Sequence, residues 1–212
     1  MKIGILGSGD VGRTLGKGFV AKGHSVKIGS RSPESEKLKE WKKEVRGDTS
    51  TGTFAEAASF GELLIFAPLG SVIDDVISLA GTKNFAGKIV VDTTNALDFS
   101  KGMPPGLFTG LNDSLGERVQ RKLPDSKVVK CFNTVPNSRM VDPGDKSAEM
   151  LICGNDAEAK KKTSQILKDF GWAGAIDIGG IKEARWLEAL VPLWVRTASS
   201  VNSWNAMFKV LH

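Results

Sequence analysis

Six residues near the amino end, Gly7-Ser8-Gly9-Asp10-Val11-Gly12, carry the three-glycine spacing of a turn that holds a dinucleotide diphosphate. Gly7 would allow the tight turn, Gly9 would let the main chain approach a pyrophosphate, and Gly12 would let the following helix lie close to its strand. Free N–H groups at that helix start would then face the phosphates. Ser30-Arg31 stand where the next strand closes. An acid at this place, about 20 residues past the glycines, would accept from the ribose 2′-hydroxyl of NAD. A hydroxyl and a guanidinium suit a 2′-phosphate instead, which Arg31 can take bidentately. The pair therefore points to NADP(H). Lys37, at the start of the next helix, could add a donor.

Three further loops have the composition of strand ends over a crevice. Ala67-Pro68-Leu69-Gly70 follows LLIF, and the proline ends the strand so that backbone atoms could flank the cofactor. Asp92-Thr93-Thr94-Asn95 closes KIVV with short polar groups, and Phe132-Asn133-Thr134-Val135-Pro136-Asn137 closes KVVKC in the same way. Polar side chains converging from two strand ends suit a carboxamide and a ribose. Asx-turn chemistry is the alternative reading of both.

The elements needed to position these loops are legible as apolar runs at residues 2–6, 25–29, 62–67, 88–92, 127–132 and 149–153. Helical patterns lie between them at 10–22, 33–46, 70–80 and 113–122. Such alternation predicts an α/β fold, a Rossmann-type doubly wound parallel sheet. Its strand C-termini line one crevice, so Gly7, Ser30, Ala67, Asp92 and Phe132 begin the loops that matter. Beyond Gly154 the pattern predicts a helix over 156–170 capped by Asn155 or Asp156, and a last strand within 172–178. A mostly helical segment over 181–211 follows, kinked at Pro192, with Trp186, Trp194 and Trp204 along it. This gives an NADP(H)-binding domain over 1–150 and a small C-terminal helical extension over 151–212, whose tryptophans read first as core or dimer interface and otherwise as the wall covering a planar second substrate.

Composition narrows the function classes. The 212 residues are 41% hydrophobic and 25% charged, ordinary for a globular protein. The formal charge of +5 is spread along the chain; in its densest stretch, Glu36 to Arg46, acids interleave with the bases, so no nucleic-acid partner is expected. No run reaches membrane-spanning length and the first strand lacks a basic leader, so neither membrane nor signal is expected and the location is cytoplasmic. Cys131 and Cys153 read as buried free thiols, and with His24 and His212 the only histidines, no metal centre is expected.

Taken in order, GSGDVG, HSVKIGSR, FAPLG, CFNTVPNSRMVDP, ICGND and ARWLEALVPLW give the chain a resemblance, almost end to end, to the NADP oxidoreductases dependent on the deazaflavin coenzyme F420. A similar domain occurs in the STEAP ferric reductases, which pass hydride from NADPH to a flavin. The resemblance implies hydride transfer between NADP(H) and a second ring, coenzyme F420, FMN or FAD. It implies turn contacts at Ser8, Gly9, Asp10 and Val11, a 2′-phosphate clamp at Ser30 and Arg31, and cofactor flanks at Pro68 and Leu69. Asn133, Thr134, Val135 and Pro136 would lie by the nicotinamide. The polar Asp92-Thr93-Thr94-Asn95 and Asn133 look closer to the flavin-reducing relatives. No catalytic side chain is assigned, because hydride transfer between stacked rings needs alignment and water exclusion. The partner is a small redox molecule, and a homodimer is expected. Alternatives are a reductase of a small imine or carbonyl and a non-catalytic NADP(H) sensor.

Overall fold

The computed structural model describes residues 1–212 and has the alternating order that the apolar runs predict. The chain begins β1 (Lys2–Leu6), α1 (Asp10–Ala21), β2 (Ser25–Gly29), α2 (Glu36–Glu44), β3 (Thr49–Gly52), α3 (Phe54–Phe60) and β4 (Leu63–Phe66). It continues through α4 (Ile73–Ala80), β5 (Ile89–Asp92), a small pair β6 (Leu97–Asp98) and β7 (Gly106–Leu107), α5 (Leu115–Lys122) and β8 (Lys127–Lys130). Then come α6 (Asn137–Met140), β9 (Glu149–Gly154), α7 (Ala157–Asp169), β10 (Gly174–Asp177) and α8 (Ala184–Ser200). Eight strands form one sheet in the order β10-β9-β8-β5-β4-β1-β2-β3. The sequence switches direction between β1 and β4, and ligands of such sheets bind at that crevice.

The sheet is covered on both faces, as its apolar strands require. Successive side chains of β4 alternate: Leu63 and Ile65 join one core cluster with Leu15, Phe19, Leu38 and Trp41, while Leu64 and Phe66 join another with Ile73, Val76 and Leu187. The first cluster is thus roofed by α1, α2 and α7, the second by α3, α4, α5 and α8.

Several elements differ from expectation for physical reasons. The sheet is not wholly parallel: β9 runs antiparallel to β8, with Val129 opposite Gly154 and Lys130 opposite Cys153. A parallel return needs a crossover of a dozen or more residues, usually helical. Between β8 and β9 the only helix is the four-residue α6, so the chain turns back on its neighbour. β9 also carries the same sheet across residue 150. The polar edge strand β3 (TSTG) has no apolar run, and α3 was signalled only by a capping box in which Thr53 and Glu56 each bond the other's main-chain N–H. The C-terminal helix runs through Pro192 and stops at Ser200; residues 201–212 fold back as turns and irregular chain. Cys131 and Cys153 are free and buried, and burial pushes the first thiol well up and the second up to about 12.

Candidate functional site

The amino-end turn is built as the glycine spacing requires. Gly7 has φ 134°, in the region that favours glycine, and a Cβ there would collide with the Ala67 carbonyl. A Cβ on Gly12 would collide with the Gly7 carbonyl, so both glycines serve close packing. Gly9 differs: a Cβ there meets nothing within 4 Å, so the space in front of it is open. Gly9 is the N-cap of α1, whose first turn presents its N–H groups beside that space. The turn therefore fits a diphosphate.

Ser30 is 9% exposed at the end of β2, and its Oγ accepts from Ser32 N at 3.1 Å and lies 3.2 Å from Ser8 Oγ. It pins the two loops to each other. Arg31 is exposed and lines a cavity of about 270 Å³ with Phe54, Val72, Val76 and Leu79, an apolar floor with a guanidinium at its edge. Asp75 shares that cavity. Lys37 does not: it sits on the first turn of α2 over a separate polar cleft with Arg13, Lys17, Glu40 and Glu44. Ala67 is buried against Gly7, Pro68 is half-buried and Leu69 is 77% exposed.

A larger cavity of about 440 Å³ lies where the ends of β5 and β8 meet α1 and α8. Asp10, Thr93, Asn95, Asn133 and Asn137 supply its polar lining. Val11, Val135, Pro136, Val191, Trp194 and Trp204 supply an apolar and aromatic wall. Trp194 donates Nε1–H to the Ala206 carbonyl at 2.7 Å and packs edge-on to Trp204 at 6.1 Å, so the segment after α8 closes this side. Thr134 is buried beside the cavity without lining it. The structure thus brings together Asp10, Val11, Asn95, Asn133, Val135 and Pro136, and holds Arg31 and Lys37 at separate places along the sheet edge.

The polar strand ends do not all face this cavity. Asp92 and Thr94 turn into the core, where Asp92 Oδ1 accepts from Thr94 N at 2.9 Å and Oγ1 at 2.8 Å. Asp92 Oδ2 meets Lys130 Nζ at 3.0 Å, and Glu188 Oε1 from α8 meets the same ammonium at 2.8 Å. Burial would lower the Lys130 pKa, but the two carboxylates hold it above the usual lysine value. Sequence reasoning missed this cluster, although a Lys inside KVVKC and a Glu inside WLEALV are charges in apolar runs and were its available signal. Asn95 and Asn133 remain as the polar lip: Asn95 Nδ2 donates to the Asn133 carbonyl at 3.1 Å, and Asn133 Nδ2 donates to Asn95 Oδ1 at 3.0 Å and the Leu187 carbonyl at 3.0 Å. Asn133 is 4% exposed and its Oδ1 has no partner in the protein, which fits a ligand that brings an N–H. Phe132, just before it, is a buried non-glycine residue at φ 64°, a conformation costing roughly 1–2 kcal/mol.

Residues 2–96 match the family model described as NADP oxidoreductase, coenzyme F420-dependent. The F420-dependent NADP reductase of Methanocaldococcus jannaschii is 33% identical over 208 residues, covering 92% of this chain and 91% of that protein. Rat metalloreductase STEAP3 is 32% identical over 202 residues; the alignment covers 91% of this chain but only 38% of the metalloreductase. A crystal structure from Arthrobacter sp. FB24, described provisionally as an F420-dependent NADP reductase, is 40% identical over the whole of both chains with a TM-score of 0.94. A reductive aminase from Aspergillus terreus shares the fold, with a TM-score of 0.69 at 17% identity over 95% of this chain and 63% of its own.

Proposed function

Because the chain belongs to the coenzyme F420-dependent NADP oxidoreductase family, and so is an NADP-dependent oxidoreductase, we propose that it moves a hydride between NADP(H) and a deazaflavin or flavin. The acceptor ring would sit under α8. The observation that carries this reading is the cavity of about 440 Å³ with a polar lip on one side and Trp194 and Trp204 on the other. Planar redox rings favour such a slot. When bound, NADPH supplies a hydride, two electrons and one proton, which the acceptor takes up together with one solvent proton.

The chain's own groups bind and orient. Ser8, Gly9 and the N–H groups of Asp10, Val11 and Gly12 hold the diphosphate; Ser30 and Arg31 take the 2′-phosphate over the apolar floor of Phe54 and Val72. Ala67, Pro68 and Leu69 flank the cofactor's middle, and Lys37 contributes positive potential from α2 rather than a direct contact. Asn95 and Asn133 to Pro136 align the nicotinamide, while the tryptophans keep water away from the reacting faces. No helix is long and apolar enough to cross a membrane; the proposed location is cytoplasmic and the proposed partner a small redox molecule. The outward face of α8, with Trp186 59% and Leu193 53% exposed, is the surface proposed to pair in a homodimer.

Mixing the protein with NADPH and following loss of its near-ultraviolet absorbance as coenzyme F420, FMN, FAD and small carbonyls or imines are added tests the reading. Turnover with a deazaflavin or flavin is expected. Turnover confined to carbonyls or imines would replace it, and tight NADPH binding with no acceptor turned over would make the chain a sensor.

A further inference from the structure

Three stretches of chain far apart in sequence meet at one ammonium. Lys130 Nζ, 0% exposed, sets its three N–H bonds among four oxygens: Asp92 Oδ2 at 3.0 Å, Glu188 Oε1 at 2.8 Å, the Thr94 carbonyl at 2.5 Å and, at the limit of bonding distance, Thr94 Oγ1 at 3.5 Å. Glu188 also accepts from Leu115 N and Gly116 N, each at 3.0 Å, so the first turn of α5 offsets the surplus negative charge. A Cβ on Gly116 would lie 2.7 Å from the Ala184 Cβ, which is why a glycine stands where α5 and α8 touch.

Buried ion clusters are weak contributors to stability, since apolar residues of similar volume often serve as well or better. What this one does accomplish is registration of the cavity lip. Thr94, held by Lys130, is followed by Asn95, and Glu188, held by Lys130, is preceded by Leu187. Asn95 Oδ1 and the Leu187 carbonyl are the two acceptors that occupy both N–H bonds of the Asn133 amide. With its nitrogen committed, the one group that the Asn133 side chain, itself part of the cavity lining, has left for a ligand is Oδ1, a buried atom without a partner. Free to rotate, the same amide could offer either a donor or an acceptor.

We propose that the Asp92–Lys130–Glu188 cluster is a positioning device that locks the Asn133 amide as a hydrogen-bond acceptor for the carboxamide N–H₂ of the nicotinamide, making these buried residues determinants of recognition at the cofactor's reacting end. This rests on NADP(H) being the ligand of the crevice. Lys130 and Glu188 touch no ligand in this scheme; they act through Asn95, Leu187 and Asn133.

The test is equilibrium binding, read by tryptophan fluorescence, of four probes: NADP⁺, its thionicotinamide analogue (which keeps the N–H₂), its 3-acetylpyridine analogue (which replaces it by methyl) and adenosine 2′,5′-bisphosphate (which lacks the nicotinamide). Wild-type protein should bind the first two within about 3-fold of each other and the acetylpyridine analogue roughly 5- to 100-fold more weakly, the span expected when a buried acceptor goes unmet. In Lys130→Met that discrimination should fall below about 3-fold while the bisphosphate binds as before. Should Lys130→Met not fold, Glu188→Gln, which keeps the volume, and Asn133→Leu, which keeps the cluster, should each lose the discrimination. Wild-type protein that binds NADP⁺ and the acetylpyridine analogue equally would overturn the acceptor role of Asn133. Discrimination that persists in Lys130→Met or Glu188→Gln with bisphosphate binding intact would overturn the role of the cluster. Binding of neither NADP⁺ nor the bisphosphate would instead refute the NADP(H) reading itself.

Discussion

Glu188→Leu is the perturbation whose cost the structure defines most closely. The carboxylate is 1% exposed and has three partners, Lys130 Nζ at 2.8 Å and the N–H groups of Leu115 and Gly116 at 3.0 Å. Two unit charges 2.8 Å apart attract by about 6 kcal/mol at an effective dielectric of about 20, before the desolvation that offsets much of it. Leucine removes that attraction and leaves two main-chain donors unmet at about 1–3 kcal/mol each, while its burial returns about 1.5–3 kcal/mol. Lys130 keeps Asp92, so the ammonium is not orphaned. The net loss should be roughly 3–5 kcal/mol, the range seen when one partner of a buried pair is deleted. For a chain of this size that is a fall in Tm of about 6–20 °C. Glu188→Gln, which can still accept through one oxygen, should lose about half as much, and Lys130→Met combined with Glu188→Leu should show non-additivity of about 1–3 kcal/mol. Urea unfolding followed by circular dichroism, with tryptophan fluorescence as a second probe for α8, measures all three. A Glu188→Leu protein within about 1 kcal/mol of wild type would show that the cluster does not tether α8, and the registration of Asn133 would need another cause.

Arg31→Asp should weaken NADP(H) by roughly 10- to 100-fold, from the loss of a charge-assisted pair, while NAD(H) changes little; calorimetry showing equal loss of both would remove the 2′-phosphate assignment. Gly9→Ala should leave Tm nearly unchanged, since its Cβ meets nothing within 4 Å, yet reduce NADP(H) affinity; Gly12→Ala should destabilise the fold, because its Cβ would strike the Gly7 carbonyl. Burial opposes ionisation of Glu117, but its bonds to Arg185, at 2.8 Å through both oxygens, and to Ser114 hold its pKa below the usual 4.5. The stability that pair contributes is therefore fully present above the ordinary glutamate range and is lost as pH falls through the lowered value, so acid should loosen α8 from α5; Glu117→Gln should flatten that part of an acid titration of tryptophan fluorescence.

Much of the scaffold is readable locally. Apolar runs such as KIGIL and SVKIG must be buried, and the glycines of GSGDVG permit the collision-free turn they form. The elements that escaped notice are those with weak local signals: the polar edge strand β3, the seven-residue α3 whose Thr53–Glu56 capping box was the one clue, and the reversal at β9, which follows from a missing crossover rather than from any residue. From the sequence Ser30 reads as a phosphate-binding hydroxyl; in the structure its hydroxyl ties the two loops together.

The local shape of the amino-end turn and of the β2 end was thus determined by the sequence alone, because a turn, a helix start and a strand end are specified by neighbouring residues. The polar lip of the crevice cavity was not. Whether Asp92, Thr94 and Lys130 face ligand or core, and which atom Asn133 presents, depends on partners 38 residues before it at Asn95 and 54 after it at Leu187. Spacing along the chain cannot encode such an arrangement; it exists only once β5, β8 and α8 are packed, when a buried ammonium must find its carboxylates and a buried amide must commit its hydrogens.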